Sequence, residues 1–115
     1  MLNKKNRLVS KFQFNVSRKY GFYLETPYSH IYSLKANNYE GPPKIGIVIS
    51  NKFSKKAVKR NRTRRLYREA IRNNIDRIGK GYWIVIHPKA DCLGKKYEEI
   101  NSDINKAIQK ISFTD

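Results

Sequence analysis

Residues 59–72 read KRNRTRRLYREAIR and form a dense group of basic side chains. On a helix at about 100° per residue, five polar side chains share one arc of roughly 100°: Asn61, Arg64, Arg65, Arg68 and Arg72. Arg62 lies just beyond the edge of this arc. Like charges four residues apart repel, so an ordinary solvated helix mixes its signs. Because guanidinium groups bind phosphate oxygens through paired hydrogen bonds, the arc predicts a nucleic-acid surface.

Aromatic side chains interleave with basic ones nearer the N-terminus: Phe14, Tyr20, Phe22, Tyr23, Tyr28 and Tyr32. Nucleobases stack on such rings, so the pattern favours single-stranded RNA or DNA as part of the ligand. The alternative is that most of these rings fill the core of a small domain. Phe14 is the best exception, because it lies off the helical stripe formed by Val9, Phe12 and Val16.

Groups suited to catalysis or metal binding are sparse. His30 and His87 are far apart in sequence, and neither has a carboxylate or thiol neighbour; His87 precedes Pro88 and is typical of a strand end. Cys92 is the only cysteine, which excludes an intrachain disulfide and leaves too few thiols for a structural zinc site. We therefore predict no catalytic residue and no protein-bound metal, and a reducing, cytoplasmic location.

Charge is distributed unevenly along the 115 residues, whose formal net charge is +16. Residues 1–75 hold 18 lysines and arginines against three acidic residues, whereas residues 76–115 hold seven against six. Such an excess favours a polyanionic partner. A membrane surface is disfavoured because the basic arc carries no apolar side chains to insert. There is also no apolar run long enough to span a bilayer.

The elements that must position these groups follow from periodicity and turn residues. We predict four strands: 22–25, 29–35, 44–50 and 82–86. Three helices are predicted: one carrying the Val9 stripe and ending near Gly21, one from an N-cap at Ser54 to about Ile78, and one over 97–111. The apolar arc of the long helix is expected to pack on the sheet: Thr63, Leu66, Tyr67, Ala70, Ile71, Asn74 and Ile78. The prediction is a single α+β domain over 1–115, ordered α-β-β-β-α-β-α, with residues 1–8 as a basic N-terminal arm.

The segment from Ser50 to Arg72, SNKFSKKAVKRNRTRRLYREAIR, resembles the signature of the bacterial ribonuclease P protein subunit family. That family shows SKK, then AVxRNRxKRxxRE and a further arginine three residues on. The resemblance extends to Arg7-Leu8, Phe14 and Gly21, and to the strands, so it covers nearly the whole chain. The chain departs from the family pattern at three positions. Ser17 stands where the family has an apolar residue, for which Val16 is a candidate substitute. Asn51 stands where the family usually has lysine, and His87 where it usually has the arginine before the proline.

The resemblance implies a function and a topology. In this family an RNA subunit carries out magnesium-dependent hydrolysis that removes the 5′ leader of precursor tRNA, so the catalytic groups and the Mg²⁺ are expected with the RNA. The family also joins its third and fourth strands by a left-handed crossover through the long helix, against the general right-handed preference. The partners implied are the catalytic RNA and precursor tRNA, with no membrane and no stable protein partner.

The site residues predicted on this basis form two groups. The RNA-binding group is Lys52, Lys55, Lys56, Lys59, Arg60, Asn61, Arg62, Arg64, Arg65, Arg68 and Arg72. The group expected in a leader-binding cleft between the first helix and the sheet is Phe14, Arg18, Tyr28 and Tyr32. The alternative hypothesis is a ribosomal or assembly protein that binds structured RNA without taking part in any reaction.

Overall fold

A four-stranded mixed sheet lies between helices on both of its faces. The computed structural model describes residues 2–50 and 52–111. The strands are β1 (Phe22–Glu25), β2 (Ser29–Lys35), β3 (Lys44–Ile47) and β4 (Tyr82–Pro88). The helices are α1 (Lys11–Tyr20), α2 (Ala57–Asn74) and α3 (Tyr97–Lys110). The predicted α+β class and the order α-β-β-β-α-β-α are confirmed.

The strands are arranged in the order β1-β2-β4-β3. The β1–β2 and β2–β4 pairs are antiparallel, whereas β3 and β4 are parallel. A parallel pair needs a crossover connection, and α2 supplies it. The left-handedness of this crossover stays a prediction from the family resemblance.

Alternation along the strands gives the sheet two different faces. Ile31 and Ile86 are cross-strand partners on one face, where they join the buried core with α2 and α3. Tyr32 and Val85 are partners on the opposite face, which α1 partly covers. The two faces therefore separate an aliphatic core from a surface with aromatic side chains.

The contact between α2 and the sheet is centred on Tyr67, which is fully buried. Its hydroxyl donates to the carbonyl oxygen of Tyr28 at 3.0 Å, and it lies 2.7 Å from Ser29 Oγ. Since a phenol has one proton, Ser29 is then the donor to Tyr67. The predicted inward arc of α2 is confirmed, except that Leu66 is only half-buried.

The bounds of α2 differ from the prediction at both ends. The N-cap is Lys56 rather than Ser54, whose Oγ instead accepts from the backbone N–H of Lys56 at 3.2 Å. The helix ends at Asn74 and is followed by a 3₁₀ turn over Ile75–Arg77. The neighbouring strands also differ, since β3 ends at Ile47 and β4 extends to Pro88.

Residues 2–8 pack on the edge of the sheet and do not extend from it as an arm. Leu2 and Leu8 are buried. The backbone N–H of Leu8 donates to the carbonyl oxygen of Ile45 at 3.0 Å, and Asn6 Nδ2 donates to that of Pro43 at 2.9 Å. This segment therefore covers part of the otherwise open edge of β3, where unpaired backbone groups would invite association with another chain.

The inward face of α1 is not the predicted apolar stripe. Phe12 is 67% exposed and Val9 is 80% exposed, whereas Ser17 is completely buried and Phe14 is half-buried. The chain lies close to β2 at the end of α1, where a Cβ on Gly21 would be 2.3 Å from the carbonyl oxygen of Ser17 and 3.0 Å from that of Ser33. Ser17 itself therefore fills the position where the family carries an apolar residue, and Val16 does not replace it.

Candidate RNA-binding interface

One candidate surface is the basic side of α2 with the turn before it. Every predicted RNA-binding side chain lies within the described residues, and none of them is buried. Arg64 and Arg68 are half-buried, and the exposed members are Lys52, Lys55, Lys56, Lys59, Asn61, Arg62, Arg65 and Arg72. Arg60 is half-buried, since its Nη1 donates to the carbonyl oxygen of Ser54 at 2.7 Å. The structure thus separates the basic side of α2 from the side that packs on the sheet.

Hydrogen bonds hold only some of these guanidinium groups. Arg64 Nη1 donates to Asn61 Oδ1 at 3.1 Å, and Arg72 is paired with Glu69. Within residues 2–50 and 52–111, neither Arg65 nor Arg68 has a side-chain hydrogen-bond partner. Their donors therefore remain available to phosphate oxygens.

Arg62 lies on a different side of α2 from Arg64, Arg65 and Arg68, and it shares that side with Lys59. Its Nη2 is 3.5 Å from the carbonyl oxygen of Lys95, beside Leu93 and Gly94 in the loop before α3. This agrees with its place beyond the edge of the basic arc.

Arg68 marks where the basic side of α2 meets the N-terminal segment and α1. Partial burial and the positive charges of Arg64 and Arg7 lower the pKa of Arg68. A small cavity here is lined by side chains that include Arg7, Phe14 and Arg68. Because cations already repel one another at this point, an anion placed there would be stabilised.

The second candidate surface lies on the α1 side of the sheet. The ring of Phe14 packs against Gly46 of β3, and a Cβ on that glycine would overlap its Cε1 and Cζ atoms. Arg18, one turn further along α1, donates to Asn15 Oδ1 at 2.9 Å and acts electrostatically on His87. Tyr32 of β2 lies edge-on to His87, with ring centroids 5.9 Å apart. Phe14, Arg18 and Tyr32 therefore lie on one side of the sheet, and their role in binding a leader stays a prediction.

Tyr28 does not belong to this surface, and its assignment to the cleft was wrong. Its side chain packs against the core on the α2/α3 side, with Lys95 Nζ 5.7 Å from its ring centroid. It also lines a groove with Asp103 of α3. The cause is the backbone: the carbonyl of Tyr28 is hydrogen-bonded to Tyr67, which fixes the β1–β2 turn over α2.

A row of rings that the sequence reasoning did not assemble extends this surface across three strands. Tyr23 of β1 stacks on His30 at 5.9 Å, and its hydroxyl lies 2.6 Å from His30 Nδ1. The ring of Tyr23 is also 5.1 Å from that of Tyr32, which in turn meets His87. The alternation along β2 already predicted that His30 and Tyr32 share one face of the strand. Joining them to Tyr23 and His87 also requires the β1–β2 and β2–β4 registers, which the sequence pattern does not provide.

His87 is the most unusual member of the row. Its partial burial, followed by the charges of Arg18 and His30, lowers its pKa, so the ring is neutral at pH 7. Its Nε2 is buried and has no hydrogen-bond partner among the described residues. The position where the family usually carries arginine thus holds an uncharged ring next to Arg18. Asn51, the remaining departure, lies outside the described residues.

Within residues 2–50 and 52–111, no group of three or more histidine, cysteine, aspartate or glutamate side chains could hold a metal ion. None of the described helices is both long enough and apolar enough to cross a membrane.

Comparison with known proteins gives the family. The model of the Ribonuclease P family matches residues 2–112. The ribonuclease P protein component of Finegoldia magna is 32% identical over 111 residues, covering 96% of this chain and 95% of that protein. That of a Synechococcus strain is 38% identical over 69 residues, so this match spans about half of the relative, at 52%.

Solved structures agree with this assignment. The RNase P protein from Thermotoga maritima has a TM-score of 0.79 and 26% sequence identity, covering 92% of this chain and 97% of that one. The match thus includes both the sheet and the helices that carry the two candidate surfaces. The chain belongs to the ribonuclease P protein family, whose members are the protein components of a ribonucleoprotein endoribonuclease.

Proposed function

We propose that the chain binds the catalytic RNA of ribonuclease P through the basic side of α2 and holds the 5′ leader of precursor tRNA on the α1 side of the sheet. The observation that carries this proposal is the separation of two differently built surfaces. One is rich in exposed guanidinium groups, such as that of Arg65. The other combines Phe14 and a row of rings with the guanidinium of Arg18.

The two surfaces suit two different forms of RNA. Guanidinium groups bind phosphates regardless of base identity, which fits a folded RNA recognised through its backbone. Aromatic rings on the surface of a sheet can stack on unpaired bases, which fits a single-stranded leader. The cavity between Arg68 and Phe14 lies where the two surfaces meet, so both RNAs would come close together there.

The protein positions RNA in this proposal and does not itself carry out hydrolysis. The donor set of the described residues does not fit a magnesium site. The family resemblance implies that Mg²⁺ is held by the RNA subunit, and no step of the reaction is assigned to a side chain of this chain. The single buried thiol of Cys92 agrees with a reducing compartment such as the cytoplasm.

The test compares variants of the two surfaces in the reconstituted enzyme. Phe14→Ala and Arg65→Ala are each combined with a bacterial ribonuclease P RNA. Dissociation constants are then measured for precursor tRNA and for mature tRNA without a leader. Arg65 is preferred to Arg68 because Arg68 lines the same cavity as Phe14. Phe14→Leu keeps most of the packing volume, and Phe22→Ala changes an exposed ring on the other face of the sheet.

Phe14→Ala should weaken binding of precursor tRNA by about 1–3 kcal/mol, the value of one stacked base, and hardly change binding of mature tRNA. Arg65→Ala should instead weaken assembly with the catalytic RNA, whichever tRNA is offered. Phe22→Ala should change neither constant. If Phe14→Ala and Phe14→Leu each weaken binding of precursor tRNA and of mature tRNA to the same extent, Phe14 serves packing only.

The alternative, a ribosomal or assembly protein, is not favoured by the family match.

A further inference from the structure

The outward side of α1 carries exposed rings that the proposed function does not use. Phe12 is 67% exposed and Tyr20 is 66% exposed, with the half-buried Val16 between them. These three residues are spaced i, i+4 and i+8, so they share one side of the helix, with the two rings about 12 Å apart along its axis. Phe14 and Ser17, by contrast, lie on the side that packs against the sheet. Exposed large apolar side chains grouped in this way commonly mark an interaction site.

The charge around these rings indicates the kind of partner. Helix α1 contains three basic residues, Lys11, Arg18 and Lys19, and no acidic residue. Lys19 Nζ lies 5.3 Å from the centroid of the Tyr20 ring, so a ring and an ammonium group are presented together. This combination fits a single-stranded nucleic acid, since the ring can stack on a base while the ammonium group meets a phosphate.

A second copy of this chain is a poorer occupant of the same surface. The chain carries a net charge of +16, and two basic α1 helices facing each other would repel. A polyanionic strand would instead be attracted by the same charges.

We propose that the outward side of α1, with Phe12 and Tyr20 as its two stacking rings, binds a second stretch of single-stranded RNA: the part of the 5′ leader that extends beyond the cleft. This rests on the proposed function, because the leader must first occupy the inward side of α1. The strand would then pass around α1, which is about 10–12 Å across with its side chains. Half of the circumference of α1 is about 16–19 Å, so at roughly 3.4 Å per nucleotide about five additional nucleotides are needed to reach the outer rings.

The experiment uses the reconstituted holoenzyme, two precursor tRNAs and a mature tRNA without a leader. One leader is just long enough to fill the cleft, and the other is about ten nucleotides longer. The test variant is Phe12→Ala/Tyr20→Ala, and the matched control is Phe22→Ala, which removes a ring that is 58% exposed on the other face of the sheet. The oligomeric state of each free protein is measured by sedimentation.

We expect the double variant to bind the long-leader substrate at least about fivefold more weakly, equal to about 1 kcal/mol for one lost stacking contact. It should bind the short-leader substrate and the catalytic RNA as the parent chain does, and the control should bind both substrates normally. Equal affinity of double variant and parent for the long leader overturns the proposal. The proposal is also overturned if the parent chain is a dimer, the double variant is a monomer, and the two bind the long-leader substrate equally well. In that case the outward side of α1 binds a second copy of the chain.

The two proposals fail in distinguishable ways. If the parent enzyme shows no preference for the short leader over no leader, the cleft assignment fails. In a second case the parent enzyme binds the short-leader substrate more tightly than tRNA without a leader. If the additional affinity for the long leader is then the same in the parent and in the Phe12→Ala/Tyr20→Ala variant, the cleft assignment holds and the outer site fails.

Discussion

The ring of Phe14 lies against Gly46 with no room for a side chain between them, and it joins α1 to β3 at this point. Leu8 is the next neighbour, with its Cβ 3.3 Å from the position a Cβ on Gly46 would take. The constraint on Gly46 is one of space, not of backbone conformation, because its φ angle is not positive. Gly46 thereby fixes how deeply Phe14 sits in the proposed leader-binding cleft.

Replacing this glycine should therefore displace Phe14. We expect Gly46→Ala to destabilise the fold by about 1–3 kcal/mol, as overpacking does, and to reduce the preference of the holoenzyme for substrates with a leader. In Gly46→Ala/Phe14→Ala the overlap is removed, so the double variant should be more stable than the sum of the two single losses predicts. Urea unfolding of the three variants measures this coupling. Strictly additive losses would mean that the ring moves aside at little cost.

The hydroxyl of Tyr67 should contribute to stability well beyond that of an exposed tyrosine. Tyr67→Phe leaves Ser29 Oγ and the carbonyl of Tyr28 without their buried partner, so we expect a loss of about 1–3 kcal/mol. Tyr20→Phe is the matched control, since its ring is exposed, and it should lie within about 0.5 kcal/mol of the parent chain. The free energy of unfolding in urea is the measurement. Equal values for the two variants would contradict the role given to this hydroxyl.

RNA binding by this chain should weaken steeply as salt is added. The basic excess lies in residues 1–75, and cations that neutralise phosphates release counterions from the RNA. A log–log plot of affinity against salt should therefore have a slope of several units, at roughly 0.7–0.9 per phosphate contact. Arg65→Ala should lower this slope by about one contact, whereas Phe14→Ala should leave it unchanged. A slope near zero would remove the basis for the α2 surface.

Protonation of His87 should destabilise the protein. Burial lowers its pKa in the folded state below the ordinary value of 6.5. Between these two values the unfolded chain binds more protons at this residue than the native chain, so stability falls as pH decreases through the window. Below the folded-state pKa, the loss of stability that His87 causes no longer changes with pH.

His87→Gln removes this titration and should therefore flatten the pH dependence. Between pH 7.5 and pH values below about 6, the parent chain should lose more stability than His87→Gln does. The measurement is urea unfolding at several pH values for both chains. Parallel curves would show that His87 is not desolvated in solution.

The sequence alone determined α2 and its two sides. The helix has 18 residues, so its apolar and basic arcs each repeat over several turns. This repetition determines which side of the helix faces the sheet. The four strands and the order of elements followed in the same way from apolar runs bounded by proline and glycine. The family motif is likewise a local pattern, which is why it could be read before any contact was known.

Only the tertiary structure decided how α1 and the β1–β2 turn are placed. Helix α1 has ten residues, and the sheet approaches it so closely that the small Ser17 faces inward while Phe12 is left outside. Tyr28 lies on the opposite face, where its backbone carbonyl accepts a hydrogen bond from Tyr67, a residue 39 positions away. The ring row likewise joins three strands, from Tyr23 to His87. These features depend on contacts between residues distant in sequence, which periodicity along one segment cannot contain.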